Sequence, residues 1–241
     1  MRIILTTLLT VFSLVLAKSQ EISGQELLNR AIAFHDPSGN WHQSSIQLIV
    51  DMQAPDRPTR RTQFTLNSRT GAFNLKMVSR GALYEYDIAA DGEVSIAYNF
   101  LPPADSVQAD TLNLTEERAI FWRNYYSYLY GLPMKLKDPG ANIDPTVSRE
   151  RFLNEEVLAL KVTYDANVGK DTWYFYFNPE TYAMVGYRFY HDEAANDGEY
   201  IVLNGLEIQN GMRIPKDRTW YTNAEGRLLG TDYFIDMKVN D

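Results

Sequence analysis

The sequence predicts an α+β protein that is mostly β: a long antiparallel meander with one amphipathic helix at its start and one aromatic helix in its middle. The first observation is an alternation of apolar and polar residues that recurs on both sides of the aromatic segment. The second is the tight turns between these stretches, because parallel strands would need long crossover connections. The third is that the sequence shows the residue spacing of a helix in only two segments. No linker or shift in composition divides the chain, so we expect a single domain over residues 20–241.

The first helix is predicted from three consistent signals. Ser23 is an N-cap, Glu26 three residues later completes a capping box, and Ile22 can pack against Leu27. One apolar stripe follows at helical spacing, and residues 36–39 (Asp-Pro-Ser-Gly) end the helix. His35 falls in the last turn, where an imidazolium would suit the helix dipole, and we expect a structural role for it.

About ten or eleven strands are predicted from the period-two segments. The turn at Asp91-Gly92 is a strong hairpin signal. The expected strands lie near residues 46–52, 64–66, 73–77, 83–88, 94–98, 157–164, 172–177, 182–190 and 199–208, with two more ending near residue 239.

The aromatic helix is predicted over residues 113–131. Asn113 or Thr115 can cap it, and Gly131 with Pro133 ends it. Six of the ten residues from 121 to 130 are aromatic. The polar residues form a narrow strip, made of Glu116, Arg123, Asn124 and Ser127. Such a helix must bury most of its circumference.

Residues 1–19 have the pattern of a secretory signal peptide. A basic start is followed by an apolar run, and small residues at Ala17 and Ser19 precede the expected cleavage site. No cysteine follows the run, so a lipoprotein anchor cannot form. We therefore expect a periplasmic or secreted protein.

The charge of the expected mature chain argues against two classes of partner. Cleavage removes Arg2 and Lys18 and no acidic residue, which leaves 21 basic against 31 acidic residues, a net charge of −10. This balance disfavours nucleic acid and anionic membrane surfaces. No later segment approaches 18 apolar residues, so we do not expect the mature chain to be embedded in a membrane.

No catalytic motif is present, and we expect neither an enzyme nor a cofactor nor a metal. The chain has no cysteine for thiol chemistry and only three histidines. The densest polar cluster is His191, Asp192 and Glu193, which leaves open a hydrolase or a calcium-binding protein. That alternative requires the three side chains to converge in a cleft.

The strand at residues 173–177 has aromatic side chains on both faces. Trp173, Phe175 and Phe177 alternate with Tyr174 and Tyr176. Two interpretations remain open: a filled core covered by a helix, or a curved sheet that holds an apolar ligand under a helical lid.

The order of these elements resembles the outer-membrane lipoprotein carrier-like (LolA-like) superfamily and, more closely, an uncharacterised branch of secreted Gram-negative proteins. Four stretches carry the resemblance over nearly the whole mature chain, namely residues 121–140, 173–182, 203–207 and 210–215. It implies a half-barrel of about eleven antiparallel strands, covered by two or three helices, that encloses an apolar cavity. It transfers no site residue to this chain.

The resulting hypothesis is a non-enzymatic protein that binds or carries a lipid or other hydrophobic small molecule. The predicted lining residues, on the lid helix and the mid-sheet strand, are Trp122, Tyr125, Tyr126, Phe175 and Phe177. The alternative is an envelope protein–protein interaction module with a filled core and no ligand.

Overall fold

The computed structural model describes residues 22–240; the predicted signal peptide lies outside the described residues. These residues form one antiparallel sheet of twelve strands and three α-helices. The strands are β1 (Ser45–Gln53), β2 (Arg60–Asn67), β3 (Phe73–Ser79), β4 (Ala82–Ile88), β5 (Val94–Tyr98), β6 (Ala141–Phe152), β7 (Glu155–Tyr164), β8 (Thr172–Phe177), β9 (Met184–Tyr190), β10 (Glu199–Gln209), β11 (Met212–Thr222) and β12 (Leu228–Asn240). The helices are α1 (Gly24–His35), α2 (Ser106–Leu112) and α3 (Glu116–Gly131).

The sheet consists of two meanders joined at their ends. Strands β1 to β5 form one meander and β6 to β12 the other, and β12 pairs with β1. Strands β5 and β6 are therefore the two edges, and the sheet is curved but not closed into a barrel. The predicted fold class is confirmed, with twelve strands in place of about eleven.

Strand β6 is the one that the sequence pattern missed. It contains Pro145, and its register with β7 shifts between Ile143 and Val147. Proline lacks the N–H that a ladder needs and is tolerated at edges and bulges. Because β6 is an edge strand, it accommodates this irregularity.

Helix α1 begins as predicted but lacks half of the predicted capping box. Ser23 Oγ accepts a hydrogen bond from the backbone N–H of Glu26 at 3.3 Å. The Glu26 carboxylate instead accepts a hydrogen bond from Arg30 at 2.7 Å, one helical turn further on. Leu27, Leu28 and Ala31 are fully buried, so the predicted apolar stripe packs onto the sheet.

The helix predicted over residues 113–131 is α3, which begins at Glu116, and it is preceded by α2, a short helix that the sequence pattern missed. Asp105 caps α2, which ends at Asn113 in a left-handed conformation, and Thr115 then caps α3 by accepting a hydrogen bond from the N–H of Arg118. Asparagine readily adopts this conformation, so Asn113 ends one helix and does not begin the next.

The two faces of the sheet carry separate apolar clusters. Phe175 and Phe177 belong to the large core between the sheet and helices α1 and α3. Tyr176 points to the opposite face and belongs to a small cluster with Phe152, Val157 and Ala159. On that face the aromatic residues of β8 are covered by a neighbouring side chain rather than by a helix.

Phe152 covers the outer face because Gly186 leaves room for its ring. The ring stacks on Tyr176 with centroids 4.3 Å apart and meets Tyr200 edge-on at 6.2 Å. A Cβ atom on Gly186 would lie 2.3 Å from Phe152 and 2.7 Å from the carbonyl oxygen of Ile201. The outer cluster therefore depends on the absence of a side chain at position 186.

His35 is buried and neutral, contrary to the imidazolium expected from its place in the helix. The carbonyl oxygen of Arg213 lies 2.6 Å from Nδ1 and can only accept, and the N–H of Met184 donates to Nε2 at 2.9 Å. Nδ1 is therefore the protonated nitrogen. Burial, with Arg213 and Arg218 nearby, lowers the pKa of His35 to about 4.

Gly186→Ala is expected to destabilise the protein by about 1–3 kcal/mol, because the new methyl group overpacks the outer cluster. Urea unfolding measures the loss. Gly169→Ala is the matched control, since its Cβ would meet no neighbouring atom closer than 3.5 Å. Equal stability of the two variants would show that the Phe152 ring moves aside freely.

His35 is expected to make the protein less stable as the pH falls from about 6.5 towards about 4. The unfolded chain takes up a proton in this window and the folded protein does not, so stability is present above the window and is lost below it, by about 3 kcal/mol at most. Urea unfolding at a series of pH values measures this slope. His35→Gln should flatten it, whereas the control His42→Gln should retain it. A wild-type slope in His35→Gln would assign the pH dependence to other groups.

Candidate functional site

Helix α3 lies across the helix-covered face of the sheet, and we call it the lid helix. Tyr126 is fully buried and stacks on Phe64 of β2 with ring centroids 4.1 Å apart and an interplanar angle of 19°. Tyr130, one turn later, packs against the same ring at 5.3 Å. The lid helix is held to the first meander by these aromatic contacts.

The C-terminal end of the lid helix is held by a buried arginine of the second meander. Arg218 donates to the carbonyl oxygens of Leu129 at 3.1 Å and Pro215 at 2.9 Å. Its guanidinium lies 3.8 Å from the centre of the Tyr130 ring, a cation–π contact. A cation at this end satisfies helix carbonyls and complements the helix dipole. The lid is therefore fixed to both halves of the sheet.

A pocket of about 480 Å³ opens beside the middle of the lid helix, and we call it the Tyr125 pocket. Apolar side chains supply much of its wall, including Met52, Tyr125, Trp220 and Leu229. The Tyr125 and Trp220 rings lie parallel, 6.5 Å apart. Exposed charged residues also line it, namely Asp56, Arg57 and Arg227. Glu199, which is half-buried, lines it too, so the pocket is an open cleft with both apolar and charged walls.

A second pocket of about 280 Å³ lies on the other side of the β1–β2 turn. Met52, Ala54 and Arg57 line both pockets, and Trp122 and Tyr84 line this one. Arg60 lies 5.4 Å from the centre of the Trp122 ring, and Arg118 lies 4.4 Å from it. The Trp122 ring is thus enclosed by two cations and is less free to contact an apolar ligand than Tyr125.

The polar strip of the lid helix lines a third, more polar groove of about 340 Å³. Arg123, Asn124 and Ser127 form one wall, and Lys135 and Asp138 also contribute. Three of the four residues of the predicted strip therefore line this groove, while the aromatic residues other than the exposed Phe121 pack towards the sheet.

The predicted lining residues fall into two groups. Tyr125 lines the 480 Å³ pocket and Trp122 lines the 280 Å³ pocket. Tyr126, Phe175 and Phe177 are fully buried within the core. Sequence periodicity placed all five on the correct elements and placed Met52 on a predicted strand, but it gave no reason to assign Met52 or Trp220 to a pocket.

Polar atoms without a hydrogen-bond partner in the protein are concentrated beneath the lid helix. They include both carboxylate oxygens of Asp232, which is 1% exposed, and the indole N–H of Trp220. A hydrogen-bond partner is also lacking for Arg218 Nε and for the hydroxyls of Thr62, Tyr126, Tyr130 and Tyr187. We call Asp232, Arg218, Trp220, Tyr126, Tyr130 and Tyr187 the buried polar cluster.

Burial shifts the titration of this cluster towards the uncharged forms. It raises the pKa of Asp232, an effect that Arg60 and Arg218 partly oppose. It raises the pKa of Tyr126 to about 12 and that of Tyr187 further. The tyrosine hydroxyls therefore keep their protons at neutral pH and can both donate and accept hydrogen bonds.

The side chains of His191, Asp192 and Glu193 do not converge. His191 Nδ1 pairs with Asp171 at 2.8 Å, Asp192 accepts from the N–H of Ala194, and Glu193 accepts from Tyr174 at 2.6 Å. Among residues 22–240, no group of three acidic or histidine side chains is placed to hold a metal ion. The geometry that a hydrolase or calcium site would require is not met here.

Within the same part of the chain, no helix has the length and hydropathy needed to cross a membrane. The longest, the lid helix, has 16 residues and carries the polar strip.

A twelve-stranded, curved, open antiparallel sheet with a lid helix across it defines a fold class, and known structures show the same class. The fold is similar to the crystal structure of a LolA superfamily protein from Nitrosomonas europaea, with 14% identity and a TM-score of 0.52 over 91% of this chain and 94% of that chain. It is also similar to a DUF1329 family protein from Desulfovibrio piger, with 10% identity and a TM-score of 0.51 over 91% and 94% of the two chains. The LolA-like fold implied by the sequence resemblance is confirmed.

Residues 2–237 match the model of DUF6503, a family of unknown function. The chain belongs to this family. No curated protein matches it.

Proposed function

We propose that this protein is a periplasmic, non-enzymatic binding protein that takes a lipid or another hydrophobic ligand into the Tyr125 pocket. The observation that carries the proposal is an open cleft beside the lid helix, with Met52, Tyr125 and Trp220 in its wall, whose volume of about 480 Å³ lies in the range of known ligand sites. Each buried methylene group of an acyl chain contributes about 0.8 kcal/mol to binding. The similar fold of a LolA superfamily protein supports an apolar ligand, and the signal-peptide pattern supports the compartment.

One observation favours the alternative of an envelope interaction module. Phe100, Leu101 and Val107 are 79%, 67% and 71% exposed and are close in sequence, beyond edge strand β5 and at the start of α2. Exposed apolar groups of this kind are typical of contact surfaces between proteins. The fully buried aromatic core is compatible with both functions. A measurement of ligand binding therefore distinguishes the binding protein from the interaction module.

An acyl chain brominated at its midpoint, presented as a monoacylglycerol, is expected to quench the fluorescence of Trp220. Bromine quenches tryptophan only at short range, and Trp220 lines the Tyr125 pocket. Trp220→Phe should therefore remove the largest part of the quenching. Trp173→Phe is the matched control, because Trp173 packs against Tyr128 and Phe189 away from this pocket. Absence of quenching in the wild-type protein would favour the interaction module.

Tyr125→Ala is expected to weaken binding of the same probe more than it lowers stability, because the ring forms part of the pocket wall. Phe121→Ala is the control: it lies one turn earlier on the lid helix, stacks on Tyr125 and is 46% exposed. Titration with the probe gives the affinity, and urea unfolding gives the stability. If the affinity is unchanged and stability falls by about 3 kcal/mol or more, Tyr125 has a structural role in the core and does not bind the ligand.

A further inference from the structure

We propose that the buried polar cluster is the subsite for the polar end of the ligand, and that this end is an uncharged, hydroxyl-bearing group. The inference rests on the proposed function, since it assigns the Tyr125 pocket to the acyl chain and the cluster beneath it to the head group. The ligand class is then a neutral amphiphile with hydroxyl groups, such as a monoacylglycerol, and neither a fatty acid anion nor a plain hydrocarbon.

The cluster adjoins the pocket through shared residues. Asp232 of β12 lies directly opposite Met52 on one side and Arg218 on the other, so all three side chains are on the same face of the sheet. Met52 and Trp220 line the Tyr125 pocket. Trp220 is also one of the groups that act on the Asp232 carboxyl. Asp232 therefore lies directly behind the part of the pocket wall that Met52 and Trp220 form.

The cluster is a built site, because nearly all of its polar groups are buried and still have unused hydrogen-bonding capacity. Neither Asp232 oxygen makes a hydrogen bond of full geometry in the protein, although the Trp220 N–H is near enough to lower the pKa of the carboxyl, and the side chain is 1% exposed. Tyr126, Tyr130 and Tyr187 are fully buried, and their hydroxyls also lack partners. Each unmade hydrogen bond of this kind costs about 1–3 kcal/mol. Such a cost concentrated in one place indicates groups that are satisfied by something other than the protein.

The mixture of donors and acceptors determines which head group fits. The Asp232 oxygens require donors, whereas the indole N–H of Trp220 and Arg218 Nε require acceptors. A hydroxyl group is both a donor and an acceptor, and a hydrocarbon is neither.

The cluster holds an acidic group and a guanidinium close together, so a charged head group of either sign would meet a group that disfavours it. A carboxylate or phosphate would be buried beside Asp232, and an ammonium would be buried beside Arg218. Burying like charges near each other is costly where the dielectric is low. A neutral polar group avoids both repulsions.

The test uses three ligands that carry the same brominated acyl chain: the glycerol monoester, the methyl ester and the free acid. Quenching of Trp220 reports binding of each. The glycerol ester is expected to bind about tenfold more tightly than the methyl ester, which is the equivalent of one hydrogen bond. The free acid should bind no more tightly than the methyl ester at neutral pH.

Two variants remove single groups of the cluster without changing its shape. Asp232→Asn replaces an acceptor oxygen with a donor, and Tyr187→Phe removes one hydroxyl. Both should lower the preference for the glycerol ester to less than about threefold. Neither should lower the melting temperature of the free protein, because each group lacks a partner there. Asp236→Asn is the matched control: it makes the same chemical change on the same strand, at an exposed position.

The outcomes separate the two proposals. If none of the three ligands quenches Trp220, the proposed function fails. If all three bind equally, and the variants bind them as the wild type does, the proposed function stands and the cluster holds water only, which overturns the head-group inference. If the free acid binds most tightly and Asp232→Asn strengthens it further, the subsite is for an anion, and the inference of an uncharged group is wrong.

Discussion

The pairing of β12 with β1 is the constraint on which the rest of the structure depends. It joins the two meanders into a single sheet, and it thereby places β5 and β6, which flank the helical segment in sequence, at opposite edges. Twelve strands would separate these edges by roughly 50 Å if the sheet were flat. The chain between them must return across one face, so a lid over that face follows from the topology. Curvature shortens the crossing, and the 16 residues of α3, about 24 Å long, supply part of it.

The lid helix is attached to the sheet in two ways, by aromatic packing and by a buried polar contact. Its aromatic side chains contact both meanders: Tyr126 stacks on Phe64 of the first, and Tyr128 packs against Trp173 of the second. The carbonyl oxygen of Leu129, in its last turn, accepts a hydrogen bond from Arg218 of the second meander, which is fully buried. A buried guanidinium is unfavourable unless it is well paired, and here two carbonyl oxygens and the face of Tyr130 surround it. The same arrangement places Asp232 and four unpartnered hydroxyls beneath the lid, so the polar cluster is a consequence of how the lid is attached.

The aromatic side chains on the two faces of the sheet are covered in different ways. On the inner face the helices cover Phe175 and Phe177. On the outer face Phe152 folds over Tyr176 in the space left by Gly186. A strand with aromatic residues on both faces therefore does not require a helix on each, because a ring from β6, two strands away, covers Tyr176 on the second face.

The sequence by itself determined the fold class, the first helix, the lid helix and the strands with a clear period of two, because these depend on local capping and on periodic burial. It also determined the elements that carry Trp122, Tyr125, Tyr126, Phe175 and Phe177. The irregular edge strand β6, with Pro145, has no period to recognise. Only the tertiary structure decided that Tyr125 lines a pocket while Tyr126 fills the core, because neighbouring residues on one helix differ in what the sheet places against them. It also decided that Met52, Arg218, Trp220 and Asp232 meet, since cross-strand register brings together residues that are up to 180 positions apart and no local pattern records it.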